Sequence, residues 1–249
     1  VGLRDETLRA ADLYPDSPQG AVPIFVGMNQ PQEEARPNLV PITFAEDQMG
    51  FLAGALAARI SETHIVGAAC ETSGIGSMWR YCEGFRAGAK FVDKNIKAQI
   101  IYNENGSSEK LFVDEAWGYD TAQKLIQRGA DVIFAAGGVT GQGALRAAAD
   151  SSASLRAGTQ VYAIGAERDQ RAVLGESGLS VVTSILGDAS FEVQNMLRLL
   201  KGGNINKLGS GQIRYVPLNE KFPESLTQEM DSLLLNLQNG EIKTDVPFE

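Results

Sequence analysis

A single histidine, His64, is the whole imidazole supply of this 249-residue chain. That scarcity excludes most histidine-based metal centres and every acid–base scheme that needs two imidazoles. Two cysteines, Cys70 and Cys82, are too few for a disulfide scaffold. They leave open one disulfide or two buried free thiols. No apolar run nears the ~18 residues of a membrane-spanning helix, so none is expected. Positive charge is also short: 22 Lys and Arg against 31 Asp and Glu leave a net charge of −9. Sequence-independent nucleic-acid binding needs clustered basic residues, and that class is excluded. No Ser/His/Asp, Cys/His or paired-carboxylate constellation stands out, so neither catalysis nor a cofactor or metal is expected. The opening Val1-Gly2-Leu3-Arg4 matches no signal, transit or lipidation pattern.

What is present is globular: 43% apolar and 21% charged residues, with 27 glycines. Short β-branched runs at 22–28, 39–44, 64–69, 97–102, 131–136, 160–164 and 179–184 alternate with helical periods. Val132-Ile133-Phe134-Ala135-Ala136 is wholly apolar, as strands covered on both faces are, and this predicts a parallel sheet flanked by helices. Met78, Tyr81, Cys82, Phe85, Ala89 and Val92 form one helical stripe. Asp188 is placed to cap a helix through Val193, Met196, Leu197 and Leu200. Arg128-Gly129 reads as a helix end. The expected class is α/β, built from βαβ units.

Three loops follow strands of this alternation, and right-handed crossovers bring them to one sheet edge, where such folds bind ligands. They are 71–77, 137–142 and 167–169. The second, with Gly137 and Gly138 before a helix, can present backbone N–H groups, although its spacing is neither a P-loop nor a dinucleotide fingerprint. In the third, Glu167 and Asp169 can accept from vicinal hydroxyls. Taken alone, that loop reads more simply as a solvated Glu167–Arg168 pair with Asp169 as a helix cap. Glu71 lies in the first loop, and Trp79, Arg80 and Phe134 offer stacking faces, whereas Tyr81 and Phe85 are assigned to packing. Asn29, just past the first strand candidate, completes the candidate contacts.

Several segments together resemble the basic membrane protein family of solute-binding lipoproteins, the purine-nucleoside-binding components of bacterial uptake systems. They are Phe44 with Asp47-Gln48-Met49-Gly50-Phe51-Leu52-Ala53-Gly54, then Glu83-Gly84-Phe85-Arg86-Ala87-Gly88, the strand and loop from Gly129 to Gly138, and Ile164-Gly165-Ala166-Glu167-Arg168-Asp169-Gln170. Val182-Thr183-Ser184 and Asn239-Gly240-Glu241-Ile242-Lys243 complete the series. The resemblance implies a type I periplasmic-binding-protein-like fold, two lobes with ligand between them. Residues 1–44 and 188–211 would form a partial N-terminal lobe, and 45–187 and 212–249 the C-terminal α/β lobe. Family members carry roughly 80–100 further residues ahead of this segment, about three βα units.

By the same resemblance Phe134 matches the residue that stacks on the purine and Glu167 the acidic residue that binds ribose. Val139 stands where the family has a glycine, and Gly187 where it usually has lysine. The implied function is a non-catalytic, extracytoplasmic, lipid-anchored component of an ABC-type uptake system that binds a purine nucleoside or similar small polar ligand. The alternative is a ligand-sensing domain of a receptor or transcriptional regulator. The implied partners are the small molecule and the transporter permease, with a second copy of the chain left open.

Overall fold

The structure is a computed structural model that describes residues 3–15, 23–28, 36–154, 160–201 and 211–247. The chain divides into two compact units, Val1–Ala45 with Gly187–Ile213, and Glu46–Leu186 with Arg214–Glu249.

The larger unit is built on a six-stranded sheet. Its strands are β3 (Ile65–Cys70), β4 (Lys97–Tyr102), β5 (Val132–Ala136), β6 (Tyr162–Ala166), β7 (Val181–Gly187) and β8 (Ile213–Tyr215), in the order β4-β3-β5-β6-β7-β8. From β4 to β7 every pairing is parallel: Val66 opposes Val132, Phe134 opposes Ile164, and Gly165 opposes Ser184. The parallel α/β expectation therefore holds. β6 and β7 each start two residues later than the apolar runs predict, and β8 is an addition that three residues of alternating burial do not announce.

Helices cover both sheet faces. On one lie α2 (Glu46–Ile60) and α3 (Gly76–Val92); on the other, α4 (Glu115–Gln127) and α5 (Gly138–Ser154). A short α6 (Gln170–Leu174) follows β6, and α8 (Glu224–Gln238) precedes the C-terminal residues. Ile133 and Ala135 join the α4/α5 core. Phe134, one residue out of phase, points to the other side, where its ring stacks on Phe85 at 5.2 Å and 7° and lies 6.2 Å from Tyr81. Full burial of such a ring contributes about 2–3 kcal/mol, and the aromatic pair adds about 0.5–1.5 kcal/mol.

The segments that carry the family resemblance are largely packing devices. A Cβ added at Gly50 or Gly54 would collide with the carbonyls of Tyr81 and Phe85, and one at Gly84 or Gly88 with those of Asp47 and Phe51. Helices α2 and α3 thus touch backbone to backbone in both directions. Gly118 and Gly143 do the same for α4 and α5 against Thr140 and Glu115. The question left open at the cysteines is settled in favour of a bond: Cys70, the last residue of β3, is joined to Cys82 of α3.

The smaller unit contains α1 (Leu3–Leu13), a parallel pair β1 (Phe25–Met28) and β2 (Leu39–Ile42), and α7 (Ala189–Lys201). Val40, Ile42 and Met196 form its core, with Ile24, Val26, Met28, Phe44, Val193 and Leu200 against it. Asp188 caps α7 as expected, its Oδ1 accepting from Phe191 N at 3.1 Å. The Phe44 ring lies over Gly187 and Gly211 so closely that neither position has room for a Cβ.

Candidate functional site

Because β3 to β7 run parallel, their carboxyl ends and the loops that follow share one edge of the sheet, the place where open α/β sheets take ligands. Two carboxylates stand there in opposite circumstances.

Glu71, directly after β3, is 1% exposed. Its Oε1 accepts from Asn103 Nδ2 at 3.1 Å, and its Oε2 from Phe112 N at 3.0 Å and Thr140 Oγ1 at 2.9 Å. Thr140 Oγ1 in turn accepts from Asp114 N at 3.0 Å. One carboxylate thereby ties together the loops after β3 and β4 and the first turn of α5. Its neighbour Glu104 fastens the rest of the first loop, accepting from Thr72 Oγ1 at 3.2 Å and Ser73 N at 3.3 Å. The protein's own donors thus take up three of the carboxylate's about four lone-pair positions at Glu71, where a ligand contact is expected.

Gly137 and Gly138 have φ of 128° and 63°, which only glycine adopts at low cost. The turn they make meets the strap after β4: Val139 N and Thr140 N donate to the Phe112 carbonyl at 2.8 and 3.4 Å. Those two N–H groups of the α5 N-terminus are occupied by protein rather than open to ligand. Gly137 is buried, and Gly138 exposed.

Glu167, at the end of β6, differs. Its φ of 70° is a left-handed conformation costly for a residue with a Cβ. The turn is held by Glu167 N donating to Ile185 O at 3.0 Å and Arg168 N to Ala166 O at 2.9 Å. The residue is exposed. Loss of solvation pushes that carboxyl's pKa up, the Tyr81 hydroxyl hydrogen-bonded to it pulls down, and the Glu46 charge pushes up again. Tyr81 is fully buried, and its hydroxyl also donates to Met49 Sδ at 3.3 Å. Burial first, then the charge and hydrogen bond of Glu167 and the charge of Glu46, hold its pKa well above the ordinary tyrosine value, so it stays a neutral donor. Glu46, 4% exposed, is bound by Arg80 through two nitrogens, each 3.1 Å from Oε2.

The remaining candidates are placed as follows. Phe134, expected to stack on a ligand, is 0% exposed, its ring turned by strand alternation against Tyr81 and Phe85. Asp169 caps α6, its Oδ1 accepting from Arg171 N at 3.0 Å. Trp79 is half-buried in the first turn of α3 beside Arg80. Asn29 lies outside the described residues. Sequence reasoning missed Glu46, Asn103, Phe112 and Thr140. Only Glu46 had a local signal, as an acidic residue opening α2 at the helix end that faces this edge. His64 lies at the opposite end of the sheet, 72% exposed in its side chain and paired to Asp93 Oδ2 at 3.1 Å. Among the described residues no cluster of potential ligands fits a metal ion.

The edge and the sheet behind it define a class: the fold is type I periplasmic-binding-protein-like. A solute-binding protein of an ABC transporter system from Conexibacter woesei superposes with a TM-score of 0.72 at 21% identity, over 99% of this chain and 77% of its own. A transcriptional activator of the comK gene from Bacillus halodurans superposes at 0.67, also 21% identical, over 89% and 72%. Both likenesses bear on fold alone. Sequence goes further. The profile of PnrA-like ABC transporter substrate-binding proteins, Bmp, matches residues 24–222, and the chain belongs to that family. Basic membrane protein A1 of Borrelia garinii subsp. bavariensis is 30% identical over 211 residues, 82% of this chain and 58% of that protein. The chain thus spans under three-fifths of that relative's length.

Proposed function

We propose that this chain belongs to a receptor that captures a small polar solute, a purine nucleoside or close analogue, and releases it unchanged to the permease of an ABC-type uptake system outside the cytoplasm. Membership of a substrate-binding family supports the capture role. The observation that carries the ligand class is Glu167, an exposed carboxylate set in a left-handed turn at the sheet edge where such folds take ligands. A carboxylate has about four lone-pair positions, which suit the adjacent hydroxyls of a sugar. The Cys70–Cys82 disulfide suits an oxidising compartment. The one imidazole lies at the far end of the sheet, which supports binding without turnover.

Titration calorimetry with inosine and adenosine tests this. Losing a charge-assisted hydrogen bond costs about 1.5–3 kcal/mol, so Glu167→Ala is expected to weaken nucleoside binding roughly 10- to 150-fold. Undiminished affinity in the variant removes the ribose contact, and no nucleoside binding by the parent removes the ligand class. Inosine is expected to be recovered intact after incubation; hydrolysis that Glu167→Ala abolishes would overturn the non-catalytic reading.

A further inference from the structure

We propose that Asn105-Gly106, in the loop after β4, is a site of spontaneous modification whose conversion to isoaspartate loosens the ligand edge. The chemistry needs only water and does not depend on which solute is bound. In an Asn-Gly pair the glycine nitrogen can reach the asparagine side-chain carbonyl carbon, because glycine has no Cβ to hinder the approach. A bond forms between Gly106 N and Asn105 Cγ, the bond from Cγ to Nδ2 breaks, and Nδ2 leaves as ammonia with the proton given up by Gly106 N. Water then adds to either carbonyl of the cyclic imide. One opening gives aspartate at 105. The other gives isoaspartate, with the main chain rerouted through the side chain and one carbon longer.

The chain holds two such pairs, and the fold treats them differently. Asn239-Gly240 closes α8: Asn239 N donates to Leu235 O at 2.9 Å, Gly240 N to Leu237 O at 3.1 Å and Glu241 N to Asn236 O at 2.9 Å. The attacking nitrogen is held there, in a helix end that must open before it can react. Asn105-Gly106 is exposed, and among the described residues no hydrogen bond holds Gly106 N. Every residue from 104 to 110 is exposed, so little burial opposes the turn's adjustment to the geometry of attack. Its flanks carry contacts that organise the edge. Glu104 accepts from Thr72 Oγ1 at 3.2 Å and Ser73 N at 3.3 Å. On the other side, a Cβ at Gly106 would stand 2.9 Å from Asn103 Nδ2, the atom that donates to Glu71 at 3.1 Å. A longer main chain and a new carboxylate at 105 therefore act on both anchors at once.

The full chain is aged in mildly alkaline buffer at physiological temperature, and isoaspartate is located by peptide mass spectrometry with an isoaspartyl methyltransferase assay. In the folded protein it is expected to accumulate at 105 about tenfold faster than at 239, because the helix-end hydrogen bonds protect the second pair. In urea the two rates are expected to converge. Equal rates in the folded protein, or a faster rate at 239, overturn the site. A ratio that survives unfolding overturns the role of the fold. Aged parent is then compared with aged Asn105→Gln, whose ring closure is larger and slower. The parent is expected to lose denaturant midpoint in step with its isoaspartate content, while Asn105→Gln holds its own. Matched midpoints overturn the loosening of the edge. Fresh Asn105→Asp carries the charge without the extra carbon and is expected to lose less than the aged parent. An equal loss would place the effect on charge and overturn the role of the longer main chain.

Discussion

Glu71 and Glu167 end two strands of one parallel sheet, at the same edge, and do opposite things. Glu71 has three protein donors, is 1% exposed and locks three segments together. Glu167 is exposed, with a strained backbone and a carboxyl whose pKa is pushed up by lost solvation. The same residue type at equivalent topological positions is a structural bolt in one loop and an exposed carboxylate in the other. The difference lies in how many donors the neighbouring loops supply, not in the strand-end position.

The sharpest way to break this comparison is to truncate the bolt. Glu71→Ala leaves Asn103 Nδ2, Phe112 N and Thr140 Oγ1 without their acceptor and is expected to cost about 3–5 kcal/mol in denaturant unfolding. A cost below about 1 kcal/mol would show that water replaces the carboxylate and that the loops do not depend on it. Next in size is Thr140→Val, which keeps the shape but removes the hydroxyl between Asp114 N and Glu71. About 1–2 kcal/mol is expected to be lost. Thr140→Ser, which keeps the hydroxyl, should retain most of it, and equal losses in the two variants would assign the effect to packing.

The smallest effect belongs to Glu167. Its pKa is raised in the folded state, so the folded protein holds that proton more tightly than the unfolded chain does. Its contribution to stability is therefore fully present below the ordinary glutamate value and is lost as pH rises through the raised one. Glu167→Gln removes that dependence. Its stability at pH 7 is expected to stay within about 0.5 kcal/mol of the parent, while the difference curve against pH has the sign just given. A variant that loses stability at pH 7 and regains it in acid would reverse the comparison.

Much of the architecture was legible before any coordinates. The wholly apolar Val132–Ala136 segment marked a parallel strand covered on both faces, and it lies between β3 and β6. The Met78–Ala89 stripe marked the buried face of α3, and Asp188 and Arg128-Gly129 marked helix ends where they occur. The glycines of the resembling segments were legible as a family pattern. Their purpose, backbone contact between α2 and α3, was not, because it needs both helices at once.

The candidate site was legible only as an edge. Phe134 is set in the core by its phase on β5, and which phase faces which helix pair is decided by the packing of α2 through α5. What the sequence by itself determined is what local pattern can specify: strand and helix alternation, the parallel class, caps, and the loops that share the ligand edge. Tertiary structure decided which polar groups at that edge are spent. The donors to Glu71 come from 32, 41 and 69 residues away. Saturation of a carboxylate is a sum over such distant neighbours, and no window of sequence contains it.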